Sequence, residues 1–305
     1  MNTRTSSVLG LLIAAQLAAA PAVMAEEEAG PTSALDISNF SLSTWFTNNY
    51  MFRGISNSDG PSGQGSLDWT YNGFYLGVWG SNTEFSDNDI EIDWYGGYRG
   101  EFAGFGYDVA ALYYWYPGED DSSTDTDDKQ FDPVGGQEAD YVELQLILSK
   151  SFDMAWSPTI AGKYNYSPDT FGEDGDAHAI QGDVGITVPM GFLGDIGISG
   201  TVGYQTVDGD KSSGKDLCLP YTNGELNDAV CGAGFGPVLD GYDYVYWRIG
   251  VSKEIAGFKF DGSYHVTDMS EDLKTFYPRT GEPSDFRDLI EPHVVLTVSR
   301  SFSFP

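Results

Sequence analysis

The chain has 305 residues, 15 Lys and Arg against 46 Asp and Glu, and a formal net charge of −31. That charge repels phosphate backbones and argues against nucleic acid as a partner, while 14% aromatic residues are too many for a disordered acidic chain. Three His and two Cys leave little material for a zinc enzyme. A mean hydropathy of −0.27 excludes a bundle of apolar helices but not a transmembrane β-barrel, whose strands alternate apolar and polar residues.

Residues 1-25 have the pattern of a secretory signal peptide, with Arg4 as its positive start and an apolar run from Val8 to Val23. Val23-Met24-Ala25 places cleavage after Ala25; an uncleaved N-terminal anchor is the alternative. No Cys follows the apolar run to carry a lipid. Export would place Cys218 and Cys231 in an oxidising compartment.

Beyond this segment no stretch of about 20 apolar residues is available for a spanning helix. Period-two alternation recurs instead. Ile90, Ile92 and Trp94 oppose Glu91, Asp93, Tyr95 and Arg99; Val142, Leu144, Leu146 and Leu148 oppose Glu143, Gln145 and Ser149. Phe258, Phe260, Tyr264 and Val266 oppose Lys259, Asp261, Ser263, His265 and Thr267. Twelve strands are expected: 40-53, 64-71, 74-82, 90-101, 105-116, 140-150, 155-166, 177-188, 195-207, 242-253, 257-267 and 289-302.

A soluble sandwich could alternate in the same way, but connection lengths favour a barrel. Every second connection is tight, as at Asn72-Gly73 and Phe102 to Gly104, and the others are long and polar, up to 208-241. That sorting predicts an all-β, transmembrane, antiparallel up-and-down barrel with periplasmic turns and long acidic external loops. Residues 26-38 would be a short periplasmic segment and 39-305 the outer-membrane barrel.

Aromatic residues fall near the expected strand ends. Tyr50, Phe52, Tyr113 to Tyr116, Tyr164, Tyr166, Tyr242, Tyr244 and Tyr246 lie on the loop side; Phe74, Phe105, Trp156, Phe258 and Phe302 lie on the turn side. Two such rows predict interfacial girdles. The last strand puts Val294, Leu296, Val298, Phe302 and Phe304 on one parity, resembling the signal read by the barrel assembly machinery; Arg300 and the terminal Pro305 depart from it.

The run Tyr50-Met51-Phe52-Arg53-Gly54-Ile55-Ser56, then Gln64-Gly65 and Asp68, continues as Gly73-Phe74-Tyr75-Leu76-Gly77-Val78-Trp79-Gly80-Ser81-Asn82 and Glu91-Ile92-Asp93-Trp94-Tyr95-Gly96-Gly97-Tyr98. It resembles the TorF porin family, formerly the gcw_chp family of uncharacterised bacterial proteins. The match covers about the first four strands. The resemblance implies a proteobacterial outer-membrane barrel and brings no catalytic residues with it.

If the apolar parity faces lipid, the other parity lines the lumen. Its acidic members are Asp68, Glu91, Asp93, Asp108, Glu143, Asp183 and Asp261; its basic members are Arg53, Arg99, Lys163, Arg248 and Lys259. Charges on a lipid face would each cost about 2–4 kcal/mol at the midplane for Arg or Lys, so their segregation supports the lumen assignment. They could line an open, narrow pore or pair across the interior and plug it.

Residues 117-138 hold Glu119, Asp120, Asp121, Asp125, Asp127, Asp128, Asp132 and Glu138 against Lys129. Such a mouth predicts weak cation preference, or else a solvated acidic surface bridged to lipopolysaccharide by divalent cations. Asp87-Asn88-Asp89 and Asp125-Thr126-Asp127-Asp128 offer oxygen ligands without the spacing of an EF-hand, so no specific metal site is assigned. Cys218 and Cys231 are expected to form a disulfide in the longest external loop.

A barrel hydrolase would need Ser and His together near the rim. His265 shares its parity with Ser263 but points inward; His178 has Asp174 and Asp176 nearby, and His293 is the third. No enzyme and no cofactor are expected. The sequence therefore predicts a porin for passive diffusion of small hydrophilic solutes or ions, with outer-membrane lipid, lipopolysaccharide and the assembly machinery as its surroundings. A plugged structural or adhesive barrel is the alternative.

Overall fold

The computed structural model describes residues 33–58, 60–83, 90–117, 140–170, 176–210, 221–222, 225–226, 240–269 and 290–305. A 3-10 turn, Ile37–Asn39, precedes β1 (Phe40–Thr47), β2 (Met51–Phe52), β3 (Ile55–Ser56), β4 (Ser62–Tyr71), β5 (Phe74–Asn82) and β6 (Ile90–Phe102). There follow β7 (Phe105–Trp115), β8 (Tyr141–Ser151), β9 (Thr159–Ser167), β10 (Ala177–Pro189) and β11 (Asp195–Asp210). The chain continues with β12 (Tyr221–Thr222), β13 (Glu225–Leu226), β14 (Asp240–Ile255), β15 (Phe258–Asp268) and β16 (His293–Ser303).

Twelve strands, β1, β4–β11 and β14–β16, pair antiparallel in a closed barrel. β1 bonds to β16 on one side and β4 on the other, which leaves no open sheet edge. The pleat then sorts side chains by parity. On β7, Val109, Tyr113 and Trp115 are exposed outside, while Asp108, Leu112 and Tyr114 are buried inside. On β8, Val142, Leu144, Leu146 and Leu148 face out and Tyr141 and Glu143 face in. Apolar outside and polar inside is the reverse of a water-soluble protein, and lipid is the environment that buries such an exterior. Among the described residues no helix is long and apolar enough to cross a membrane.

Tight turns close one end. Asn72–Gly73, Ala103–Gly104 and Ala256–Gly257 all have positive φ at both residues, the I′ geometry whose twist matches paired strands. The β8–β9 and β10–β11 connections are somewhat longer. Both barrel termini, Phe40 and Ser303, lie at this end. The segment before β1 is pinned there, since Trp69 Nε1 donates to the Ala34 carbonyl at 2.6 Å and Asn39 Nδ2 donates to those of Ser33 and Ala34.

The structure corrects the expected strand ends. The first strand stops at Thr47 rather than 53, the seventh begins at Thr159 rather than 155, and the last begins at His293 rather than 289. After Thr47 the chain leaves the wall, and β2 and β3 pair only with each other. Their turn, Arg53 at φ 46° and Gly54 at φ 84°, repeats the I′ geometry of the barrel turns. Gly54 suits the second central position of that turn, while Arg53 takes a left-handed conformation uncommon for its type.

The girdles are corrected as well. Phe74, Phe105, Phe258 and Phe302 are exposed on turn-side strand ends, whereas Trp156 sits in the β8–β9 turn at φ 68°. On the loop side Tyr113, Trp115 and Tyr164 face outward, but Tyr50, Phe52, Tyr114, Tyr116, Tyr244 and Tyr246 are buried inside. Tyr114, Tyr244 and Tyr246 fill the lumen because parity outranks aromatic character in deciding which face a strand residue takes, and Tyr50 and Phe52 are carried inside by the β2–β3 hairpin. The signal segment 1-25, Asp87 to Asp89, the acidic residues Glu119 to Glu138 and both Cys218 and Cys231 lie outside the described residues.

Candidate functional site

The barrel interior is crossed by the β2–β3 hairpin. Asn49, Tyr50, Met51, Phe52, Arg53, Ser56, Asn57 and Ser58 are all buried although they belong to a connection between wall strands. Tyr50 N–H donates to Ser58 Oγ at 2.8 Å, and Ser56 Oγ donates to Asn49 Oδ1 at 2.7 Å, tying the hairpin base. Thr267 Oγ1 on β15 donates to the Gly54 carbonyl. Gly54 also lies so close to Tyr246 on β14 that a Cβ would overlap it.

Arg53 sits at the hairpin tip, not on a barrel strand. Its Nη1 and Nη2 donate to Glu143 Oε1 and Oε2 at 2.8 and 2.7 Å, a bidentate ion pair with β8. Nη1 also donates to Gln205 Oε1 on β11 at 3.2 Å, and the guanidinium lies 4.7 Å from the Phe52 ring centroid. Glu143 further accepts from the Tyr114 hydroxyl and from Asn165 Nδ2, both at 3.0 Å. One hairpin thus bridges opposite parts of the wall.

The wall on one side of the tip is aromatic and acidic. Tyr50, Phe52, Tyr75, Trp79, Leu112, Tyr114, Tyr116 and Tyr141 form one packed cluster. Tyr114 and Tyr141 stack with centroids 4.2 Å apart. The Tyr50 hydroxyl donates to Glu91 Oε1 at 3.3 Å. Asp68 accepts from Ser66 at 2.6 Å and from the Tyr95 hydroxyl. Asp108 accepts from the Tyr75 hydroxyl at 2.6 Å and faces Arg99 Nε at 3.7 Å, whose guanidinium lies over the Tyr75 ring.

The other side is built of amides, hydroxyls and cations. Asp183 accepts from Gln181 Nε2 and, at 2.7 Å, from Thr201 Oγ1; Gln181 Oε1 in turn accepts from the Tyr246 hydroxyl at 2.9 Å. Arg248 donates to Ser199 Oγ at 2.8 Å and pairs with Asp261 at 2.5 Å. Lys163 is buried on β9. Lys259 shares the inward parity of Asp261, Ser263 and His265 and is half-buried.

All eleven residues singled out for the interior, Arg53, Glu91, Asp93, Arg99, Asp108, Glu143, Lys163, Asp183, Arg248, Lys259 and Asp261, turn inward, ten from barrel strands and Arg53 from the inserted hairpin. Sequence reasoning missed the hairpin and the inward amides Asn165, Gln181 and Gln205. Gly54 suits the second position of the hairpin turn but Arg53 is not a usual first residue for it; the amides share the lumen parity but carry no charge to draw attention.

The residues weighed for hydrolysis do not assemble. Ser263 Oγ lies 3.0 Å from His265 Nε2 inside the barrel, and no carboxylate among the described residues bonds that imidazole. His178 Nε2 lies 3.1 Å from Asp176 and its Nδ1 2.7 Å from the Tyr164 hydroxyl, and Asp174 lies outside the described residues. His293 Nδ1 lies 3.3 Å from Asn49 Nδ2.

A model of bacterial proteins of unknown function, Gcw_chp, matches residues 28–216, and the chain belongs to this family. Among solved structures it is similar to the KdgM porin, with 10% identity, a TM-score of 0.45, and 87% of this chain and 99% of that one covered. It is also similar to the COG4313 outer membrane channel from Pseudomonas putida F1, with 12% identity, a TM-score of 0.44 and coverage of 91% and 100%. LpxR from Salmonella typhimurium is a further likeness, with 9% identity, a TM-score of 0.40 and coverage of 87% and 100%. Among curated proteins none matches.

Proposed function

We propose that this barrel is an outer-membrane porin of the TorF type, passing small hydrophilic solutes or ions by passive diffusion with a weak preference for cations. The observation that carries this reading is a charge-lined interior narrowed by one inserted hairpin. Twelve strands enclose a lumen between the filled eight-stranded barrels and the wide sixteen-stranded porins. The hairpin reduces it further to a constriction with an excess of carboxylates along one wall and three of the interior cations, Lys163, Arg248 and Lys259, along the other.

In this mechanism no bond is made or broken. Solutes are sorted by size at the hairpin and by charge along the wall. The acidic external loops would raise the local cation concentration at the mouth. The tight-turn end would face the periplasm after export, with phospholipid, lipopolysaccharide and the assembly machinery as surroundings.

A second reading has its own observation. The bidentate Arg53–Glu143 pair holds the hairpin across the interior, which favours a plugged structural or adhesive barrel. Single-channel conductance of the refolded protein in a planar bilayer, under a salt gradient, separates the two. Discrete steps with a cation-biased reversal potential support the porin. A barrel that is silent as wild type yet conducts as Arg53→Ala is a plugged one, and silence in both sinks the pore reading.

A further inference from the structure

Glu91 and Asp93 lie two residues apart on β6 and so share the inner face. Asp93 is wholly enclosed, and neither of its carboxylate oxygens has a hydrogen-bond partner among the described residues. Glu91 Oε2 is an unpartnered buried acceptor too. The terminal guanidinium nitrogens of the nearby cation Arg53 are already engaged by Glu143. Three buried acceptor atoms therefore lack donors among the described residues, and no ion pair with a described cation is formed by Glu91 or Asp93. An anionic pair in that condition is costly, and is relieved either by taking up a proton or by something positive and hydrogen-bond-donating that occupies the site.

The walls say what kind of cation fits. Trp79 and Tyr114 are the direct cross-strand neighbours of Asp93, and Tyr50 packs 5.4 Å from Trp79. Ring faces attract ammonium groups and solvate divalent metals poorly. Calcium takes six to eight oxygen ligands, and among the described residues no three acidic or imidazole side chains are placed to hold a metal. We propose that Glu91 and Asp93, walled by Trp79, Tyr114 and Tyr50, form a binding site for a protonated primary amine. The three N–H groups of an alkylammonium match the three orphan acceptors in number, and its alkyl part lies against the rings. Tyr50, which bonds Glu91, makes the inserted hairpin one wall of the site, so an occupied site is coupled to the hairpin position.

Binding here needs no conducting pore. The test is thermal unfolding of the refolded full-length barrel in detergent at fixed ionic strength, with methylammonium, sodium or tetramethylammonium chloride. Methylammonium should raise the midpoint saturably by several degrees, while sodium and tetramethylammonium, which lacks N–H donors, should not. The rise should vanish in Asp93→Asn and weaken in Glu91→Gln; if Asp93→Asn does not refold, Glu91→Gln carries the comparison. Equal responses to all three salts, or an undiminished methylammonium response in the variant that refolds, overturns the proposal. An amine response in a barrel that is silent in bilayers would remove the porin reading and leave this site; conductance without an amine response would do the reverse.

Discussion

The inner wall of β4–β8 and that of β9–β15 solve the same problem differently. The first holds Asp68, Glu91, Asp93, Asp108 and Glu143, set among tyrosine and tryptophan rings that pack on the inserted hairpin. The second holds Lys163, Arg248 and Lys259 with Asp183 and Asp261, set among Gln, Ser and Thr that bond one another in short ladders. Aromatic packing rigidifies the first wall, and its satisfied acids draw on tyrosine hydroxyls, on Ser66 and Asn165, and on the cations Arg53 and Arg99. On the second wall Asp183, Arg248 and Asp261 are satisfied by neighbours on the same or adjacent strands. An excess of carboxylates on one wall opposite cations on the other would set up a transverse field across the interior.

Breaking the link between the walls should have the largest effect. Arg53 and Glu143 are both buried, and removing one partner strands the other. Glu143→Ala should destabilise the barrel by about 3–5 kcal/mol in urea unfolding. Arg53→Ala, which frees the tip, should raise bilayer conductance, and an unchanged step size would separate the hairpin from the constriction.

Two single-atom-scale changes sharpen the contrast between the walls. Asp183 accepts from Gln181 and Thr201, so Asp183→Ala should cost about 1.5–3 kcal/mol. Asp93→Asn, measured without amine, should instead stabilise, because it removes a buried charge with no partner among the described residues. Losses of similar size at both positions would erase the distinction. A Gly54→Ala variant tests the seating of the tip. Its φ of 84° and the nearness of Tyr246 predict a loss of about 2 kcal/mol.

The barrel itself was legible because lipid outside and polar side chains inside write a period-two code along each strand. Glu91, Asp93 and Glu143 could be placed inside from parity alone, and Asn72-Gly73 announced its own turn. The hairpin was not legible because Tyr50-Met51-Phe52 continues an apolar strand pattern, and its long-range bonding partners Glu91, Glu143, Gln205 and Thr267 lie on distant strands. Tyr114 and Tyr246 were assigned to a girdle for a related reason: an aromatic ring suits either an interface or a packed lumen, and the partners that decide lie on other strands. Which acids are satisfied likewise depends on neighbours across the sheet. Asp183 and Asp93 look alike in sequence and differ entirely in their surroundings.

The smallest expected effect lies at the tight-turn end, far from either wall's charges. Ala103 and Ala256 occupy the first position of I′ turns at φ 54° and 53°, a left-handed conformation that an ordinary L-residue adopts at a cost of roughly 1–2 kcal/mol. Asn72 fills the equivalent position at φ 50° with the residue type that tolerates it. Ala256→Asn should therefore stabilise the barrel by about 0.5–1 kcal/mol and Asn72→Ala should cost as much, read as opposite shifts in the urea midpoint. Conductance should not change in either, since these turns touch neither the hairpin nor the inner charges. A change in conductance would mean that turn geometry propagates along the strands to the constriction, and the division between a structural end and a selective interior would then fail.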